Sequence, residues 1–203
     1  MTKEELIDKY RDINLNWGEW WESVYAEFEK DMEAEGIEVT KIQFEGFYHQ
    51  GSHAVFEATI PPRNMTKFME KHNMNMEYLA MYALAEQKGL WVTKNFFGRV
   101  SSSIDIHSDE FSEIEMCDDE DMDAYYTEIY SEQFEQTLSR FEEQIVSILE
   151  GYDRELYIRL RDTYEQLTSD EVVWEAIEAN GMDDELDEIQ TAVCKTEMVH
   201  EKV

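Results

Sequence analysis

Residues 37–60, IEVTKIQFEGFYHQGSHAVFEATI, decide the fold class. β-Branched and aromatic side chains fill 37–47 and 53–60, and His49-Gln50-Gly51-Ser52 between them has turn composition, so the stretch predicts two strands of a hairpin ending at Pro61-Pro62. The alternation of Ile37, Val39, Lys41 and Gln43 against their neighbours is imperfect. Downstream, Leu90–Phe96 and Arg99–Ile106 predict a second hairpin around Asn95-Phe96-Phe97-Gly98. Residues 64–88, with Met65, Phe68, Met69 and then Leu79, Tyr82 and Ala83 as apolar positions, read as helix in two pieces broken near Asn73. Upstream, 3–12 predicts a short helix, Asn16-Trp17-Gly18 breaks the chain, and Glu19–Glu35 carries Trp20, Val24, Tyr25, Phe28 and Met32 at helical spacing before Gly36 stops it. The order ααββαββ predicts an α+β fold, with helices packed on a three- or four-stranded antiparallel sheet.

The second half predicts an acidic loop, His107 to Asp121, and then helices. Tyr126, Tyr130, Phe134, Leu138, Phe141, Ile145 and Ile148 advance in steps of four and three and share one stripe. Gly151 is expected to end that helix. Asp153–Leu167 then forms another, with Leu156, Leu160, Tyr164 and Leu167 inward, and Thr168-Ser169-Asp170-Glu171 caps a third that runs to Asn180. The expected division is an α+β domain over 1–106, an acidic loop and helical region packed on it over 107–190, and a tail over 191–203.

Charge narrows the function classes. The 203 residues carry 48 acids against 17 bases, a net charge of −31, while 42% hydrophobic and 13% aromatic residues suffice for a core. Residues 1–106 hold 18 acids and 11 bases, and 107–190 hold 28 and 4. Phosphate backbones and anionic lipids require cationic surfaces, so direct nucleic-acid and membrane binding are disfavoured. The polar N-terminus MTKEELIDKYRD lacks an apolar signal core and no stretch approaches 18 apolar residues, which predicts a cytoplasmic protein. Cys117 and Cys194 have no metal-like spacing.

The acidic face is the main candidate site. Glu128, Glu132, Glu135, Glu142, Glu143 and Glu150 fall opposite the apolar stripe, and Asp118, Asp119, Glu120, Asp121 and Asp123 precede them. Helical carboxylates at i and i+4 are about 6 Å apart, close to the phosphate spacing along one DNA strand, so a folded carboxylate ladder can occupy Lys and Arg sites made for DNA. The plain alternative is a solvated face; against it, like charges at i and i+4 cost helix stability with few bases to relieve them.

Other constellations are weaker. The 118–123 run lacks the alternating ligands and central Gly of a calcium loop. Asp105, His107 and Asp109 would share a strand face, yet His49, His53, His72 and His200 show no zinc spacing. Ser101-Ser102-Ser103 has no elbow or paired base, and no phosphate-binding Gly-rich loop occurs. No metal, no cofactor and no enzymatic activity are therefore expected. Trp17, Trp20 and Trp21 are either an exposed anchor for a partner or homodimer, or part of a two-sided core.

The segments 42–60, WWESVYAEF (20–28), RVSSSIDIHSD (99–109) and YEQLTSDEVVWEAIEAN (164–180) resemble a widespread family of uncharacterised tailed-phage proteins, often labelled antitoxin-like. Its pattern F-x-G-F-x-x-Q-G-x-x-A-x-F-E is matched by Phe44, Gly46, Phe47, Gln50, Gly51, Ala54, Phe56 and Glu57. Where such proteins often have Asp-Gly after Gln-Gly, this chain has Ser52-His53. The resemblance implies phage origin. Joined to the charge, it sets the expectation of a counter-defence inhibitor in the infected bacterial host. That inhibitor would mimic DNA and occupy a host restriction, CRISPR or other nuclease or methylase enzyme. The alternative is an antitoxin-like module that binds its partner through the aromatic 44–57 motif or the Trp cluster. Less favoured is a metal-dependent enzyme using His49, His53 or Asp105 and His107.

Overall fold

The computed structural model describes residues 1–15, 19–48, 51–97, 101–108 and 132–183. In chain order the elements are α1 (Lys3–Lys9), α2 (Glu22–Glu35), β1 (Glu38–Phe44), β2 (Ala54–Ile60), α3 (Met65–Lys71), α4 (Leu79–Glu86), β3 (Leu90–Phe97), β4 (Ser101–Ser108), α5 (Glu132–Leu167) and α6 (Asp170–Ala179). The fold is α+β, and the four strands form one antiparallel sheet in the order β1-β2-β3-β4. The register of β1 against β2 shifts between Val39 and Lys41, and this bulge is why the alternation in 37–43 is imperfect. His107 and Ser108 correct the expected loop start. They extend β4, where His107 lies opposite Trp91, and the rest of the expected loop, 109–121, lies outside the described residues.

The chain divides into two compact units, Tyr25–Ile158 and Met1–Val24 with Arg159–Val203. In the first, one sheet face supplies the core. Ala54, Phe56, Ala58 and Ile60 are buried at alternate positions of β2, as are Leu90 and Val92 of β3. Phe28 of α2 meets Phe56 edge to face with ring centroids 5.2 Å apart. Two of the positions with left-handed backbone lie at helix ends. Gly36 ends α2 at φ +89°, and an added Cβ there would lie 3.2 Å from the Asn64 Cβ, so both conformation and space demand glycine. Asn73, at φ +57°, separates α3 from α4 as the sequence suggests.

Gly151 does not end a helix. α5 runs unbroken for 36 residues, about 54 Å at 1.5 Å per residue. Glycine inside a helix costs only about 1 kcal/mol relative to alanine. The apolar stripe continues past it, with Phe141, Ile145 and Leu149 buried before it and Leu156 and Leu160 after it, and this packing outweighs the local cost. Leu149, rather than the half-buried Ile148, carries the stripe across the junction.

The second unit is built from both ends of the chain. Leu6 and Ile7 of α1 pack with Val173 and Ile177 of α6, flanked by Tyr10, Ile13 and Trp174. α1 begins with a capping box in which Thr2 and Glu5 exchange side-chain and backbone bonds. Ser169 stands at the N-cap of α6 but makes no side-chain cap bond; its hydroxyl donates to the Gln166 carbonyl at 2.8 Å. The carbonyls at the α5–α6 junction are instead served from the N-terminal segment. Asn14 donates to Leu167 O at 3.1 Å and Val172 O at 3.3 Å, and Arg11 to Thr168 O at 3.0 Å while pairing with Asp170.

Candidate functional site

The sequence-predicted acids divide three ways. Asp118, Asp119, Glu120, Asp121, Asp123 and Glu128 lie outside the described residues, and of Glu132 and Glu135 only the backbone, in the first turns of α5, is described. Glu142 and Glu143 are exposed and, with Glu150, Ser139, Val146 and Ser147, line an open groove of about 460 Å³ along one side of α5. Although Glu142 is exposed, enough protein surrounds its carboxyl that desolvation raises its pKa above the ordinary glutamate value. Glu142 and Glu143 are consecutive, and Glu150 follows Glu143 by seven residues, about 10.5 Å along the axis. Arg140 and Arg154 stand beyond them on either side along the helix, and Arg161 further on pairs with Asp162 at 2.9 Å and Glu165 at 3.8 Å.

α5 also carries a partly buried carboxylate that the sequence pattern did not single out. Asp153 occupies a position on the apolar stripe, four residues after Leu149 and three before Leu156, and its Oδ1 accepts from Lys94 Nζ at 2.8 Å. Lys94 is 1% exposed, donates also to the Phe56 carbonyl at 2.7 Å, and lies 4.1 Å from the centroid of the Phe56 ring. Asp153 completes the knot by accepting the Phe56 amide at 3.3 Å. Desolvation lowers the Lys94 pKa and raises that of Asp153, each opposed by the partner's charge. Closed in this way, Lys94 is a clamp between β3, β2 and α5. A signal was present, because Lys94 shares the parity of Leu90 and Val92, the buried positions of β3.

The family-like motif is mostly internal. Phe56 is fully buried, Ala54 is buried beside it on β2, and Glu57 points the other way opposite Lys41. Gly46 and Gly51 take φ +59° and +94°, and Gln50 lies outside the described residues. Phe44 and Phe47 pack with centroids 4.7 Å apart, Phe47 meets Tyr157 of α5 at 5.6 Å, and Tyr48 next to them is 70% exposed at φ +60°. His53 Nδ1 bonds the Gly51 carbonyl at 2.7 Å, a turn-closing contact, and His49 is outside the described residues.

The remaining candidates are engaged locally. His107 stacks on Trp91 with centroids 5.3 Å apart and shares a 2.9 Å hydrogen bond with Thr93, while Asp105 accepts from Ser103 at 3.2 Å. Asp109, His200, Cys117 and Cys194 lie outside the described residues, and among the described residues no three His, Cys, Asp or Glu side chains gather as a metal site. His72, at the end of α3, lies 3.7 Å from Glu35 and 3.4 Å from the Tyr152 hydroxyl; burial lowers its pKa against the pull of Glu35, and burial pushes Tyr152 up to about 12. Trp20 and Trp21 are half-buried and edge to face at 5.6 Å, with Trp20 against Tyr164 at 5.9 Å; Trp17 is outside the described residues.

Fold and site together define an α+β protein whose helix α5 carries one lysine-paired, partly buried carboxylate, Asp153, and three exposed ones that line an open groove. The family described as Domain of unknown function (DUF8835) matches residues 20–170, and the chain belongs to it. Neither the curated proteins nor the solved structures contain a match to it. No helix among the described residues is long and apolar enough to cross a membrane.

Proposed function

We propose that the protein is a phage counter-defence inhibitor that works in the host cytoplasm as an acidic mimic of DNA, covering the nucleic-acid-binding surface of a restriction, CRISPR or other nuclease or methylase enzyme. The observation that carries this reading is charge that the fold cannot neutralise. The described segments hold 32 acids against 14 bases, so even complete one-to-one pairing leaves 18 acids without a basic partner. Glu142, Glu143 and Glu150 line a groove open to a partner, and the 107–190 segment adds the densest charge of the chain. Such a field accelerates encounter with a cationic surface and makes binding salt-sensitive.

The test is an affinity pull-down from host lysate eluted with a salt gradient, with and without excess duplex DNA. The expected result is a DNA-binding nuclease, methylase or defence effector that both salt and DNA displace. Reversing Glu132, Glu135, Glu142 and Glu143 to Lys should abolish that capture with the circular dichroism spectrum unchanged. Undiminished capture by this variant would overturn the mimic.

A second reading draws on Tyr48, 70% exposed beside the Phe44, Phe47 and Tyr157 cluster. An antitoxin-like partner docked there would resist salt and ignore DNA, and Tyr48→Ala would release it.

A further inference from the structure

α4, LAMYALAE, is apolar nearly all round, the pattern of a helix covered on every side, yet only Met81, Leu84 and Ala85 are buried. Leu79 is 62% exposed, Ala80 and Ala83 are exposed beside it, and Met76 in the preceding turn is 76% exposed. Exposed Met and Leu together are unusual on a surface this rich in carboxylates. Tyr78, between them, ties this patch to the groove-bearing part of α5: its hydroxyl donates to the Arg140 carbonyl at 3.4 Å and its ring meets Phe141 edge to face at 5.3 Å. Burial first, and then the carboxylate of Glu77, raise the Tyr78 pKa against the charge of Arg140, with Glu143 adding a smaller upward pull.

We infer that Met76 and Leu79, flanking Glu77 and joined to α5 through Tyr78, are the apolar anchor of the contact surface, and that its occupant is a cationic protein surface presenting an apolar side chain. The inference rests on the reading above and adds to it where the partner touches and what besides charge holds it. Charge selects the occupant. A second copy would bring another −31 against the first, and an anionic lipid surface would be repelled in the same way. An apolar centre within a charged rim is the anatomy of a specific interface, in which the centre supplies affinity and the rim supplies rate and selectivity. A pure charge mimic would bind every basic surface; the anchor discriminates among them.

The probes are a helical Lys/Ala peptide carrying two Leu four residues apart and its counterpart with both Leu replaced by Gln, each titrated into the full chain by fluorescence anisotropy at low and at high salt. The wild type should bind the Leu peptide about ten-fold more tightly, the effect of burying roughly one apolar side chain. In Met76→Ser/Leu79→Ser the two peptides should bind within about two-fold of each other, with the salt dependence retained; both positions are exposed, and circular dichroism checks the fold. In Glu142→Lys/Glu143→Lys both peptides should weaken together. A wild type that binds the two peptides equally but salt-dependently overturns the anchor and leaves the charge reading standing, as does a Leu preference that survives in the Ser variant. Binding of neither peptide at low salt sinks both.

Discussion

The two faces of α5 use the same chemical group in opposite ways. On the inner face Asp153, 15% exposed, is held through Oδ1 by both the Lys94 ammonium and the Phe56 amide. On the outer face Glu142, Glu143 and Glu150 open into a groove whose lining contains no base. Glu142 leaves the helix only about 20° round the axis from Asp153 but three turns, about 16.5 Å, before it, and Glu143 and Glu150 lie about 80° and 60° round, so the surroundings each carboxylate meets divide them. An acidic run is therefore not one feature, since what packs against each carboxylate decides whether it becomes a structural cost needing a partner or a field available to one. If the comparison is right, inner-face changes alter stability strongly and outer-face changes alter it hardly at all.

The largest effect should come from breaking the inner pair on one side. Asp153→Ala leaves a buried ammonium without its counter-ion and should cost about 3–5 kcal/mol, read as a lowered urea midpoint. Replacing both partners, Lys94→Met with Asp153→Leu, removes both desolvation costs and should return stability to within about 1 kcal/mol of wild type or above it. An Asp153→Ala variant no less stable than Glu150→Ala would erase the distinction between the faces.

Gly151→Ala tests the helix that carries both faces. The position keeps right-handed helical backbone, and an added Cβ would meet only the Arg154 Nη2 at 3.8 Å, ordinary contact. Alanine should stabilise by about 0.5–1 kcal/mol by restricting the unfolded chain. A loss of stability would mean that the helix stops there, as its sequence suggests.

That contrast marks what was legible beforehand. Gly36 and Asn73 announced themselves because few residue types take left-handed backbone, and the structure places φ +89° and +57° at those two positions. The strands of both hairpins followed from composition, but the second turn did not: Asn95, Phe96 and Phe97, expected in it, pair with Ser103, Ser102 and Ser101 as the end of β3. Gly151 misled for the converse reason: a glycine is permitted left-handed backbone without being obliged to take it, and the stripe from Leu149 to Leu156 decides otherwise. The Lys94–Asp153 clamp was half legible, since both residues sit at core positions of their elements, but pairing a lysine with an aspartate 59 residues away requires the register of sheet on helix. The joining of α1 to α6 left no local trace at all. Asn14 serves carbonyls 153 and 158 residues away, and nothing about an asparagine in sequence tells which carbonyl it will meet. Of the candidate site, the exposure of Glu142 and Glu143 followed from helical period alone, whereas that of Met76 and Leu79 did not, because an apolar helix reads as a covered one.

The smallest effect, and the sharpest test of the outer face, is neutralisation in place. Glu142→Gln/Glu143→Gln/Glu150→Gln keeps side-chain shape and removes three like charges, so at low salt it should stabilise by only a few tenths of a kcal/mol, and that gain should vanish when salt screens it. Glu142 adds a pH signature. Desolvation holds its folded pKa above the ordinary value near 4.5, so the stabilisation it contributes is present below that value, in the neutral form, and is lost as pH rises through the folded pKa. Glu142→Gln should remove that decline from the pH profile of the urea midpoint while leaving the rest of the profile in place. If the triple variant instead loses stability at any salt, its carboxylates are making contacts within the fold, the outer face is structural like the inner one, and the charge is no longer free for a partner.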